Sequence, residues 1–269
     1  MKRQHLIFLH LPKAGGSTLR TILNREYGVK ASHIISERMH QDFKDLEQLD
    51  EQHKQKIKLL IGHMGFGVHA YLPGPCKYIS MLRDPIERVV SEYRYIQVNQ
   101  KHVHHEKVKN LSLMKFLSSG LTTQVSNGQT RLLSGMHDNN PVGIQCARPV
   151  TQIDFDEAVK NIEAWFPVLG LVDKYEETLL LWKKAFGWRW PWYAPENVNP
   201  SNKGRTLSEG ELAAVTTINE YDIKLYQIAQ TLFHQNIKKT ITAIWVGISL
   251  LQSCEYPIRS RIACKKQVG

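Results

Sequence analysis

The sequence predicts an α/β fold in which a central, mainly parallel sheet is flanked by helices. Three observations carry that prediction. Short apolar runs of strand length alternate with stretches of helical spacing. Two strand-to-helix junctions pass through short turns, PKAGG and RDP, that suit a helix start. No internal repeat or low-complexity linker breaks the pattern.

The first run, HLIFLHL at residues 5–11, ends at Pro12 as a buried parallel strand would. Leu19, Ile22, Leu23 and Tyr27 then recur at helical spacing, and Gly28 suits the residue just past a helix end. Residues 37–58 are polar and read as solvated helix. KLLIGH (58–63), KYISML (77–82) and VLGLV (168–172) are the other strand candidates. RDPIERVVSEYRYI carries the clearest helix start: Asp84 as cap, Pro85 at the first position and Glu87 three residues after the cap. Residues 111–117 and 155–166 are helical in pattern, and 187–205, rich in Trp, Pro and Asn, is an irregular loop. One long helix is expected over 207–234, with Leu212, Val215, Ile218, Leu225, Ile228 and Leu232 on its inner side. Residues 1–236 form one domain, and 237–269 a basic, partly apolar extension.

Composition narrows the function. The 269 residues are 42% hydrophobic and 22% charged, which excludes a disordered or fibrous chain. A formal charge of +10 calls for an anionic partner. The four cysteines form no CxxC pair and are too sparse for a disulfide framework, so free thiols are expected. The N-terminal apolar run is too short for a signal peptide. ITAIWVGISLLQSC (241–254) is too short to span a bilayer and reads as a packed or interfacial helix.

The turn LPKAGGSTL is built for an anion. A strand that enters a helix through glycines aims backbone N–H groups and the positive end of the helix dipole at one point. Ser17 and Thr18 add hydroxyls, and Lys13 adds a mobile charge. The triphosphatase pattern is not met, because its lysine follows the glycines and here it precedes them. Arg83 ends a strand at the edge where α/β ligands bind, and Arg88 and Ser91 follow on a helix. Pairing of the arginines with Asp84, Glu87 or Glu92 is the competing reading.

FLHLPKAGGSTL and YISMLRDPIERVVSEY together resemble the two cofactor motifs of the carbohydrate sulfotransferases, in the branch of heparan sulfate 2-O- and 6-O-sulfotransferases and their bacterial relatives. GHMGFGVHAYLPGP and NGQTRLLSG extend the resemblance over most of residues 5–235. It implies a P-loop-nucleotide-hydrolase-like, three-layer fold and 3′-phosphoadenosine 5′-phosphosulfate (PAPS) as donor, with adenosine 3′,5′-bisphosphate as product. It also implies that Lys13, Ala14, Gly15, Gly16, Ser17 and Thr18 hold the 5′-phosphosulfate, and Arg83 and Ser91 the 3′-phosphate. Lys203, Gly204 and Arg205 lie where related enzymes close a basic loop over that phosphate. Animal members carry an N-terminal membrane anchor; here the cofactor strand starts at once, so a bacterial cytoplasmic enzyme or an isolated catalytic domain is expected. The acceptor is a hydroxyl of a carbohydrate, glycolipid or similar compound, and no nucleic acid.

Sulfuryl transfer depends on positioning and charge stabilisation, as phosphoryl transfer does. Lys13 offsets charge growing on the leaving oxygen. No metal is required, because a sulfuryl group carries less charge than a phosphoryl group. A histidine suits the base that takes the acceptor proton. Among 12 histidines, His63 ends a strand and resembles the 2-O branch, whereas His69 lies in a G-V-H that resembles the 6-O branch. Each has the alternative of a hydrogen-bonded structural histidine, and His63 is the slightly favoured base. Asn127, Gln129 and Arg131 suit sugar hydroxyls or the nucleotide, or a polar helix start. His102, His104 and His105 read as a solvated segment rather than metal ligands. Trp188, Trp190, Trp192 and Tyr193 are stacking or core residues. The tail, with six Lys or Arg against Glu255, is expected to touch membrane surfaces peripherally. The competing functions are a nucleotide-dependent phosphotransferase and a non-enzymatic polyanion-binding module.

Overall fold

A computed structural model of the chain describes residues 4–36, 38–135, 148–189 and 206–263. The elements follow in order as β1 (His5–Leu9), α1 (Gly16–Tyr27), β2 (Ser32–Ile35), α2 (Met39–Gln48), α3 (Glu51–Lys56), β3 (Leu59–Gly62), β4 (Cys76–Ile79) and β5 (Met81–Leu82). Then come α4 (Pro85–Val98), α5 (His105–Val108), α6 (Leu113–Leu117), α7 (Gly128–Leu133), α8 (Gln152–Trp165), β6 (Gly170–Leu171), α9 (Tyr175–Phe186), α10 (Glu209–Ile218) and α11 (Glu220–Ala263).

The expected α/β class is observed. Four strands pair in parallel in the order β2-β3-β1-β4, with Ile7 opposite Leu60 on one side and Tyr78 on the other. All five residues of β1 are buried, which is why that strand reads as a continuous apolar run without alternation. His5 fits inside because both ring nitrogens face carbonyl oxygens, Ile57 O at 2.6 Å and Pro73 O at 2.7 Å. Helices flank the sheet, and one large apolar cluster runs from β1 and β3 to Trp182, Leu225 and Phe233.

Several expectations are corrected. The 77–82 run is two strands. Ser80 bends the chain: its hydroxyl donates to Leu9 O and its carbonyl accepts from Gly170 N, so β5 leaves the main sheet and pairs with β6. Strand β2 has no counterpart among the expected strands. The single late helix is two, divided at Asn219, and Leu212 is exposed rather than inward. Helix α11 continues without interruption past residue 236. No helix among the described residues is long and apolar enough to cross a membrane. Cys76 is a free, buried thiol that burial pushes up to about 11. Trp188 is core, while Trp190, Trp192 and Tyr193 lie outside the described residues.

Candidate active site

The carboxyl ends of β1, β3, β5 and β6 build the site. After Leu9 the chain turns through Leu11 N–H to Leu9 O and Ala14 N–H to Leu11 O. Lys13 at φ 63° and Gly15 at φ 72° take left-handed conformations, a strained choice for lysine that tight functional turns hold. Helix α1 starts at Gly16 with no side-chain cap and no acid in its first turn. The leading N–H groups of a helix have no intrahelical acceptor, and no acid of this first turn competes for them, which suits an anion at a helix start. Thr18 is buried and Ser17 half-buried behind the turn.

Both glycines are needed as glycines. A Cβ on Gly16 would stand 1.8 Å from Nε2 of His10, whose ring lies across the start of α1. Gly15 is restricted by its φ of 72° rather than by space: a Cβ there would meet Tyr175 and Val172 at an ordinary 3.4 and 3.7 Å, where the β6–α9 turn packs on the loop.

Lys13 lies with Nζ 3.8 Å from the centre of the Tyr95 ring. Burial lowers its pKa, nearby Glu92 opposes that shift, and Arg83 adds to it. Arg83 reaches the same loop: Nη1 donates to Lys13 O at 3.5 Å, while Nε and Nη2 pair with Glu87 Oε2 at 3.3 and 3.2 Å. Asp84 caps α4 by accepting from Glu87 N at 2.9 Å. The carboxylate of Glu87 therefore turns to Arg83 instead of closing the capping box. Ser91 is buried and shares a face of α4 with Arg88, Glu92 and Tyr95, the i, i+3, i+4, i+7 stripe that includes the ring under Lys13. Burial raises the pKa of Glu92, and Arg88, Lys13 and His104 oppose the rise.

His63 is beside the loop. Its Nδ1 donates to His10 O at 2.7 Å, and its ring stacks on the His10 ring at 4.1 Å. A carbonyl acceptor places the proton on Nδ1, which leaves Nε2 as the basic nitrogen. Burial, with His63, Arg20 and Lys13 adding to it, lowers His10 to about 3, so His10 is neutral at physiological pH. His69 has different surroundings. Its Nδ1 meets the Tyr78 hydroxyl at 2.8 Å, its backbone N–H donates to the same oxygen at 3.0 Å, and its ring stacks on Trp165 at 4.1 Å. Burial lowers its pKa.

Asn127, Gln129 and Arg131 are all buried. Asn127 Oδ1 accepts from Tyr221 N and Asp222 N at 2.9 and 3.0 Å, which caps α11. Gln129 binds both backbone groups of Arg83, and Arg131 Nη1 donates to Arg148 O. Arg88 is buried and pairs with Asp222 at 3.8 Å, a partner absent from the three acids expected by sequence. His105 is buried with Nδ1 at 3.0 Å from Ile96 O, so that histidine segment packs on α4 rather than standing in solvent. No group of three or more His, Cys, Asp or Glu among the described residues could hold a metal ion. Lys203, Gly204 and Arg205 lie outside the described residues.

The sequence pointed to neither His10 nor Tyr95, and it offered Glu92 only as a partner for the arginines, not as a neighbour of Lys13. A polar residue at the end of an otherwise apolar strand was the signal for His10. Glu92 and Tyr95 lie one and four positions after Ser91, on the helix face already singled out.

The model of the family described as "Sulfotransferase family" matches residues 1–229, a span that holds both strand–turn–helix elements of the candidate site. The chain belongs to the sulfotransferase family. Among solved structures it is similar to mouse sulfotransferase SULT7A1 complexed with PAP, at 13% sequence identity and a TM-score of 0.37, over 82% of this chain. This family member spans 65% of the length of that mouse chain. No curated protein matches it.

Proposed function

We propose that the chain moves a sulfuryl group in line from PAPS to a hydroxyl of a glycan, glycolipid or similar acceptor. Family membership supports the reaction class. The observation that carries the donor is the contact between the two turns: the Arg83 guanidinium reaches the carbonyl of Lys13, so the second turn stands beside the first and the uncapped start of α1. The residues fit a ligand with two separate anionic groups. Gly15 and Gly16 let the backbone pass close under the His10 ring, and no acidic side chain lies in the first turn of α1.

Lys13, Ala14, Gly15, Gly16, Ser17 and Thr18 hold the 5′ anion through N–H groups, hydroxyls and one charge. Arg83 and Ser91 hold the 3′-phosphate, and Lys203, Gly204 and Arg205 contribute further to binding it. When bound, PAPS supplies an activated sulfuryl group with adenosine 3′,5′-bisphosphate as leaving group. Lys13 leaves the Tyr95 ring to offset negative charge at that leaving oxygen. His63 accepts the acceptor proton at Nε2, while its Nδ1–H stays on His10 O. His69, engaged by Tyr78 and Trp165, supports the wall of the site.

The enzyme acts in the cytoplasm, and its tail touches membrane surfaces peripherally. Deleting residues 237–269 tests the second point: liposome co-sedimentation that survives the deletion removes it. Transfer of labelled sulfate from PAPS to fractionated glycans and glycolipids tests the reaction. Label in a fraction that loses it with a Lys13→Ala variant supports the reading, and label from ATP–Mg²⁺ alone supports a phosphotransferase.

A further inference from the structure

A guanidinium at a strand end is placed no better than the peptide that carries it. Arg83 follows β5, a two-residue strand whose pairing is with the equally short β6. The needed support comes from far away in sequence. The side-chain amide of Gln129 meets the Arg83 peptide as a neighbouring strand would. Its Nε2 donates to Arg83 O at 3.0 Å and its Oε1 accepts from Arg83 N at 3.0 Å. Gln129 is 1% exposed, so it offers nothing to an acceptor sugar.

The first turn of α7, which carries Gln129, is fixed in turn by Asp222. Gln129 N donates to Asp222 Oδ2 at 3.0 Å, and Thr130 N and Oγ1 donate to Oδ1 at 2.7 and 2.8 Å. Asp222 lies in the first turn of α11, is fully buried and pairs with Arg88. A continuous chain of contacts therefore runs from α11 through α7 to the backbone of Arg83.

We propose that Gln129 is a positioning residue that fixes the Arg83 peptide and thereby sets the preference for a nucleotide with a second phosphate. This rests on the reading of Arg83 as the 3′-phosphate ligand given above. The amide does two jobs at once that no aliphatic side chain of similar size can do, because an unpaired N–H and C=O would otherwise remain half-buried beside the site.

Calorimetric titration of the full chain with adenosine 3′,5′-bisphosphate and with adenosine 5′-phosphate tests the inference. The wild type prefers the bisphosphate. Gln129→Leu loses about tenfold of that preference, the size of a coupling between adjacent groups, with adenosine 5′-phosphate affinity held. Gln129→Asn keeps the amide but draws it back by one methylene from the Arg83 backbone, so it too loses preference, and it serves if the leucine variant does not fold. An unchanged preference in either folded variant overturns the inference, as does an equal loss for both nucleotides, which would mark Gln129 as merely structural. A wild type without preference overturns the assignment of Arg83 itself, and this inference with it.

Discussion

His63 and His10 form one unit: their rings stack with centroids 4.1 Å apart, and His63 Nδ1 donates to the His10 carbonyl at 2.7 Å. Burial first, with His63, Arg20 and Lys13 adding to it, keeps His10 neutral at physiological pH. The pair sets the tautomer of His63 and ties it to the strand that feeds the anion loop.

The two candidate bases separate in their expected behaviour. His63→Ala lowers kcat by about 10²- to 10⁴-fold, the usual contribution of a general base, with nucleotide affinity little changed. His69→Ala loses the Tyr78 hydrogen bond and the Trp165 stack, so it costs stability, about 1–3 kcal/mol, more than turnover. Steady-state rates and urea midpoints distinguish them, and normal turnover in both variants removes the histidine base.

Stability falls on the acid side. His10 is held down to about 3 by burial first and then by His63, Arg20 and Lys13, so below the unfolded value of 6.5 the unfolded chain binds a proton that the folded chain refuses. Each pH unit between about 6 and 4 then costs up to ~1.4 kcal/mol from this group. Urea unfolding at a series of pH values shows a steeper acid slope in the wild type than in His10→Gln. Parallel slopes contradict this origin.

Gly16→Ala puts a methyl group where the His10 ring stands. The expected cost is about 1–3 kcal/mol of stability, as in overpacked cores, with loss of nucleotide binding. Combined with His10→Ala the stability cost is less than the sum of the two, because the methyl then enters vacated space. Thermal melts of the single and double variants measure the coupling.

Arg88→Ala strands Asp222 in the core with its backbone donors but no counter-charge. Loss of one partner of a buried pair costs about 3–5 kcal/mol, read from the urea midpoint. A cost below about 1 kcal/mol would place the pair among ordinary surface ones.

Where local chemistry decided the structure, the sequence was legible. Strand β1, the turn at 11–15, helix α1 with Gly28 at its end, and helix α4 with its Asp84 cap all stand where residue patterns put them. What was not legible depends on partners remote in the chain. Residues 32–35 alternate too briefly to announce an edge strand and become β2 only by pairing with β3. The late helix divides at Asn219 because its Nδ2 donates to Val125 O and its Oδ1 accepts from Asn127 N, contacts more than 90 residues away that apolar spacing does not encode. The loop and Arg83 of the candidate site could be named in advance. The roles of Gln129, Asp222 and His10 could not, because each depends on which backbone atom stands opposite.

Titration of the full chain with adenosine 3′,5′-bisphosphate in the presence of EDTA tests the central claim most directly. Metal-independent, one-to-one binding is expected, weakened by Lys13→Ala and by Arg83→Ala, with little affinity for ATP. Binding of ATP only with Mg²⁺, and none of the bisphosphate, would contradict it.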